Sequence, residues 1–226
     1  MNPPTVSSHQ EVLDRLREGN RRFAEGTANR FAAEEAELRR QLAQGQAPDA
    51  VILTCADSRV PPTLVFDQGL GDLFIIRVAG NVVSPEELGS VEFAVDQLGC
   101  RIVMVMGHTR CGAVSAAVDL LGQSDAGLSP NLRSITDRIR PAAEGALAEV
   151  LGPDALQTDA LDGETRDRVI AAAIRQNVRM AAQALRDGSP LLDELAASGA
   201  LAILGAEYCL ESGTVEVLGE YPPAAD

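Results

Sequence analysis

Apolar residues fall along this chain in two rhythms. Short unbroken runs stand at Val51-Ile52-Leu53, Leu73 to Val78, Ile102 to Met106 and Leu201 to Tyr208. Each is bounded by turn residues, as expected of strands buried on both faces of a parallel sheet. Thr214 to Leu218 instead alternates and follows Glu211-Ser212-Gly213, which predicts an antiparallel edge strand in a hairpin. Between these runs the period becomes helical. Val12, Leu13, Leu16 and Phe23 form a partial stripe behind a Ser8/Glu11 capping box, through about residue 25. Leu38 and Leu42 share one side of a charged segment over 32–44. Ser84, Pro85 and Glu87 open a helix that carries Leu88, Val91, Val95 and Leu98. Pro61-Pro62 permits a short helix start. Further helices are predicted from Gly112 to about Leu121, over 131–150 and over 163–186, with a Gly/Pro/Asp-rich break at 152–163. The alternation predicts an α/β fold: a mostly parallel central sheet of four strands plus an antiparallel edge strand, helices on both faces and an N-terminal helical arm. The arm, residues 1–44, is expected to contact a second subunit or to lie as a surface helix on its own domain. Residues 45–226 are expected to form the α/β domain.

Charge narrows the partners. The 226 residues carry a formal net charge of −14. Such a surface repels phosphate backbones and anionic lipid, so neither nucleic acid nor a membrane is an expected partner. No apolar run nears the roughly 20 residues that span a bilayer. The start, Met1-Asn-Pro-Pro, has neither the basic end nor the apolar core of a signal peptide, so a cytoplasmic location is expected. In that compartment Cys55, Cys100, Cys111 and Cys209 are expected as thiols, metal ligands or packed side chains rather than disulfides. The chain has two histidines, His9 and His108. His9 sits in a polar N-terminal stretch, so imidazole chemistry rests on His108.

The candidate chemistry lies where two strands are predicted to end. Sites in open α/β sheets form at the carboxyl ends of strands. One end offers Cys55, Asp57 and Arg59; the other offers His108 and, three residues on, Cys111. Two thiolates and an imidazole suit Zn²⁺, and a three-member set leaves the fourth tetrahedral position open, as catalytic zinc sites do. A lone cysteine at a strand end is more often packing, and Cys100 and Cys209 are read that way. Asp57 and Arg59 read either as an ordinary loop salt bridge or as an oriented carboxylate beside a zinc-bound hydroxide.

Cys55-Ala-Asp-Ser-Arg59 together with Gly107-His-Thr-Arg-Cys-Gly112 resembles the β-class carbonic anhydrases, over about Gly45 to Val114 and more weakly to Tyr208. The resemblance implies zinc held by Cys55, His108 and Cys111, with Asp57–Arg59 as the orienting pair. It implies reversible hydration of carbon dioxide to bicarbonate and a proton by a zinc-bound hydroxide. It also implies homodimers, often paired into tetramers, with the N-terminal helices wrapped on the neighbour. Gln46 matches a glutamine that hydrogen-bonds bicarbonate across the dimer interface. Phe74 matches an aromatic of the carbon dioxide pocket, where Val78 and Phe93 are also expected. Phe93 stands where plant enzymes have a tyrosine. Gly112 matches a glycine whose N–H faces substrate. Arg77 and Tyr208 match two members of a Trp–Arg–Tyr regulatory bicarbonate site, but Ile52 replaces the tryptophan. The plant-like, constitutively open branch is therefore expected.

Three alternatives remain beside this reading: a carbonyl sulfide or carbon disulfide hydrolase on the same scaffold, a non-catalytic zinc module with Asp57 as a fourth ligand, and a thiol redox protein using Cys111. No Cys-x-x-Cys pair supports the last.

Overall fold

In the computed structural model, the described residues are 8–28, 35–122, 127–153 and 161–221. Five strands form one sheet: β1 (Ala50–Thr54), β2 (Leu73–Arg77), β3 (Ile102–His108), β4 (Ala202–Tyr208) and β5 (Val215–Glu220), in the order β2-β1-β3-β4-β5. The first four run parallel, and β5 pairs antiparallel with β4. This is the predicted sheet. β3 continues through His108, two residues beyond its apolar run, because Gly107 and His108 pair with Glu207 and Tyr208 of β4.

The helices are α1 (His9–Ala24), α2 (Glu35–Leu42), α3 (Pro62–Val65), α4 (Pro85–Gln97), α5 (Gly112–Asp119), α6 (Pro130–Leu151), α7 (Gly163–Asp187) and α8 (Pro190–Ala197). The capping boxes at Ser8/Glu11 and Ser84/Glu87 are both formed. α8 is an addition to the prediction. It is only eight residues long, yet Ser189 caps it by accepting from Leu192 N–H, and Pro190 takes the first turn. Among the described residues no helix is long and apolar enough to cross a membrane.

Two-residue periodicity divides the strands between two cores. Val51, Leu53, Val103, Val105 and Ile203 face α4, α7 and α8. Ile52, Met104, Met106, Leu204 and Ala206 face α1 and α3. Each fully buried aliphatic side chain contributes about 1.5–3 kcal/mol.

The first half of the predicted arm is therefore part of its own chain's core. Val12 and Leu16 are buried against the sheet. Asn20 donates to the carbonyls of Val65 (3.1 Å) and Gly213 (2.8 Å) and accepts from Val215 N–H (2.8 Å). Arg22 reaches the buried Asp67 carboxylate at 2.5 Å. Gly19 makes this docking possible, since a Cβ there would lie 1.8 Å from the Phe66 carbonyl oxygen.

A helix-interior Gly→Ala change normally stabilises by about 0.5–1 kcal/mol. Gly19→Ala is expected to reverse that sign and lower the urea midpoint, because the methyl must push α1 off Phe66. An unchanged or raised midpoint would show that α1 does not dock as described.

Candidate metal centre

The site is made by strand register. Thr54 is level with Met106 across the β1–β3 pair, and the Thr54 hydroxyl donates to the Met106 carbonyl at 2.7 Å. Cys55 and His108 follow within two residues of that pin, so they emerge side by side. After His108 the chain must return within three residues. Arg110 does this in the left-handed region, φ +56°, a conformation that is uncommon for a residue with a side chain. Cys111 then stands as the N-cap of α5.

The ligating atoms of Cys55, His108 and Cys111 all lie within 4.8 Å of one another, and all three residues are buried. The two sulfurs are 4.0 Å apart. A tetrahedral ion with metal–sulfur bonds of about 2.3 Å requires about 3.8 Å between them. His108 Nδ1 lies 2.9 Å from the Thr109 carbonyl. A carbonyl only accepts, so Nδ1 carries the proton and Nε2 presents a bare lone pair. Nε2 is buried and, among the described residues, has no hydrogen-bond partner. This orphaned lone pair beside two thiols is what a metal ligand set looks like, and the residues fit a divalent cation.

Electrostatics agrees. The Cys55 thiol is pushed down to about 4, first by its hydrogen bond with Cys111 and also by His108 and the Gly80 N–H. Cys111 is pushed up by the same partner and by burial, although the Ala113 and Val114 N–H groups at the head of α5 oppose this. Two buried thiolates side by side are unfavourable unless a cation lies between them.

Asp57 stands at the rim of the same cluster, its Oδ2 3.9 Å from His108 Nε2. Arg59 grips it twice, Nε to Oδ1 at 2.9 Å and Nη2 to Oδ2 at 2.7 Å, and the Arg59 N–H adds a third bond at 2.9 Å. The bidentate guanidinium is the main cause that holds the Asp57 carboxyl well below the usual carboxylate range. Arg77, considered above as part of an anion site, instead holds the turn. Its Nε donates to the Cys55 carbonyl (3.1 Å) and its Nη2 to the Asp57 carbonyl (2.5 Å). Tyr208 is buried, with its ring 6.4 Å from that of Phe23.

Val78 packs in the apolar cluster that includes Cys55 and Cys111. Gly112 is exposed at the head of α5, and a Cβ there would meet open space. The other predicted pocket residues lie elsewhere in this chain. Phe74 is level with Val51, four residues before Cys55, and so about 13 Å back along the sheet. Phe93 is 49% exposed on α4, its ring 6.2 Å from that of Phe74. Gln46 is exposed before the start of β1, at the opposite end of that strand from Cys55. His9 is also at that far end, hydrogen-bonded to the Ala200 carbonyl at 3.2 Å. Cys100 packs as expected, its thiol donating to the Pro48 carbonyl and pushed up to about 11 by burial.

Behind the 108–111 turn is a cleft of about 610 Å³ with Arg110, Arg166, Asp167, Glu207 and Glu211 on its charged side and Ile170, Ala171 and Ile174 of α7 on its apolar side. Its arginines are paired, Arg110 with Glu211 (2.5 Å) and Arg166 with Asp119 (2.7 Å).

Comparison with known proteins agrees with the geometry. The family profile described as carbonic anhydrase matches residues 50–215. Carbonic anhydrase 2 of Mycobacterium tuberculosis is 36% identical over 200 residues, covering 88% of this chain and 87% of that protein. The carbonic anhydrase of Mycolicibacterium smegmatis is 34% identical over 204 residues, covering 89% of each. Among solved structures, a tetrameric β-carbonic anhydrase from Sordaria macrospora superposes with a TM-score of 0.67 at 25% identity, covering 92% of this chain and 98% of that one. A Coccomyxa β-carbonic anhydrase in complex with acetazolamide gives 0.67 at 26% identity, covering 91% and 86%.

The left-handed Arg110 makes a direct test. Arg110→Gly removes the strain and an exposed ion pair, so unfolding free energy is expected to stay within about 1 kcal/mol of the native value. Arg110→Val is expected to lower it by more than about 1 kcal/mol and to weaken retention of metal on dialysis. Equal behaviour of the two variants would mean that the turn does not depend on this conformation.

Proposed function

This chain belongs to the carbonic anhydrase family, in its β class, and from that premise we propose that it hydrates carbon dioxide reversibly to bicarbonate and a proton at the Cys55–His108–Cys111 centre. The observation that carries the proposal is a two-sulfur, one-imidazole set within 4.8 Å, with a fixed carboxylate 3.9 Å from the imidazole. Cys55, His108 and Cys111 would hold zinc. Zinc, when bound, supplies Lewis acidity and with it a nucleophilic water near neutral to mildly alkaline pH.

The chain's own groups do the rest. Asp57 is ionised across the physiological range, so it offers lone pairs only. An O–H group beside it must point its hydrogen at the carboxylate, which turns an oxygen lone pair toward carbon dioxide. Arg59 fixes the direction of that carboxylate and engages both its oxygens, which favours an orienting role over a ligating one. Val78 supplies an apolar wall, and the Gly112 N–H faces the oxygens of the new bicarbonate. Two thiolates put more negative charge on the centre than imidazoles would. Activity is therefore expected to rise through the mildly alkaline range, with no titration of Asp57 contributing. His108, the one histidine at this end of the sheet, is taken up as a ligand, so the proton leaves through water to buffer or surface carboxylates.

The site is completed by a second copy. Gln46, Phe74 and Phe93 lie away from their own chain's centre, so they serve a centre only across an interface. β2 is a free edge of the sheet, and Phe93, Leu70 (50% exposed) and Leu64 (44%) leave apolar surface uncovered. A homodimer, itself able to pair into a tetramer, buries this surface and brings Gln46 to the neighbour's bicarbonate.

Stopped-flow hydration with elemental analysis tests the chemistry. Native protein is expected to carry one zinc per chain, and Asp57→Asn to keep the metal while losing about 10²-fold or more in rate. A zinc-loaded native protein silent toward carbon dioxide at alkaline pH would sink the proposal. Phe93→Glu tests the assembly: sedimentation is expected to show monomer, with zinc retained and hydration lost. Full activity in that monomer would show that each chain's site is complete by itself.

A further inference from the structure

Among the described residues, one buried polar side-chain group outside the Cys55–His108–Cys111 set lacks a partner. The three-residue 3-10 turn Ala79–Asn81 follows β2 and lies between the two ligand-bearing loops. Gly80 occupies the left-handed region, φ +69°, and its N–H points at Cys55 Sγ from 3.3 Å. The Gly80 carbonyl accepts from the buried Asn177 Nδ2 at 2.7 Å. A Cβ on Gly80 would lie 2.6 Å from Ile139 Cδ1 and 3.2 Å from Ala113 Cβ, so the turn is wedged against the head of α5. Asn81 follows, also left-handed at φ +44°, with its N–H on the Val78 carbonyl at 3.1 Å. Its side chain is 2% exposed and reaches toward β3: a Cβ on Gly107, the residue before His108, would sit 3.7 Å from Asn81 Oδ1. Among the described residues, Asn81 Nδ2 has no hydrogen-bond acceptor.

An unpaired buried N–H₂ is unfavourable, and native structures keep such a group where a ligand or an ordered water completes it. The Gly80 N–H, one residue earlier in the same turn, already donates to Cys55 Sγ, so the thiolate sulfurs are acceptors this turn addresses. We propose that Asn81 is a positioning residue of the metal centre: its amide N–H donates to a thiolate sulfur, directly or through one buried water, while its left-handed backbone keeps the Gly80 N–H on Cys55 Sγ. The inference rests on the zinc reading of the site given above. It explains why an asparagine stands here. Asparagine tolerates the left-handed region, whereas an aspartate of the same shape would offer no N–H and would add a further anion to the two thiolates and Asp57.

Asn81→Gly separates the amide from the turn, because glycine takes φ +44° without strain. Zinc affinity by chelator competition is expected to fall about tenfold to a hundredfold. The thiolate-to-metal absorption of the cobalt-substituted enzyme is expected to shift. A variant that binds zinc as tightly as native protein, with an unchanged cobalt spectrum, would overturn the role of Asn81, even if its unfolding temperature drops. Native protein that takes up no zinc would overturn the underlying reading as well. If Asn81→Gly does not fold, the native enzyme decides: the Asn81 side-chain amide proton signals are expected to move when cadmium replaces zinc, and unmoved signals would overturn the proposal.

Discussion

The structure depends on the parallel pairing of β1 with β3. These strands lie at the centre of the sheet, and Thr54 pins their carboxyl ends together at Met106. Cys55 and His108 are 53 positions apart in sequence, yet the register leaves them neighbours. A slip of one residue would turn one strand over relative to the other, burying its wrong face and carrying Cys55 and His108 apart. The two hydrophobic cores thus enforce the position of the Cys55, His108 and Cys111 cluster, which could hold a metal ion. Ile52, Met104 and Met106 must face α1, and Val51, Val103 and Val105 must face α7, before Cys55 can meet Cys111.

That placement sets an electrostatic condition: the two buried sulfurs share a hydrogen bond and cannot both ionise unless a cation lies between them. The bare imidazole nitrogen beside them has no partner among the described residues. The chain supplies partial help, through the Gly80 N–H on Cys55 and the head of α5 at Cys111. Arg59 and Arg77 then hold the Asp57 turn from its side chain and its backbone. The result is a hydrogen-bonded charged rim beside the buried cluster that contains Cys55, Cys111 and Val78. Carbon dioxide is neutral and its product is an anion, so a site of this kind discriminates between them by the donors it offers late in the reaction.

Much of this was legible in the residues themselves. Runs such as Val51-Ile52-Leu53 and Ile102 to Met106 can hardly be anything but buried strands, and Ser84-Pro85 with Glu87 announces a helix start. Cys55, His108 and Cys111 were readable as candidates because sites in open α/β sheets form at the carboxyl ends of strands, and the structure brings the three together. Less legible features involve backbone conformation or distant partners. The left-handed turns at Arg110 and Asn81 leave no periodic trace. Arg77 looked available for an anion, and only the fold shows the Cys55 and Asp57 carbonyls above it. Ser189-Pro190 is a helix-start signal, but eight residues give too little periodicity to extend it into α8. Phe74 and Gln46 follow from motif position, whereas their distance from the chain's own centre follows from strand direction. The N-terminal stripe was too sparse to reveal that Gly19 lets α1 dock on its own sheet.

The coordination sphere is the most direct test of the central claim. X-ray absorption at the zinc edge on the protein as purified is expected to give two sulfur neighbours at about 2.3 Å and two lighter neighbours at about 2.0–2.1 Å, one of them an imidazole nitrogen. A sphere of four sulfurs, a sphere lacking sulfur, or the absence of bound zinc would contradict the account.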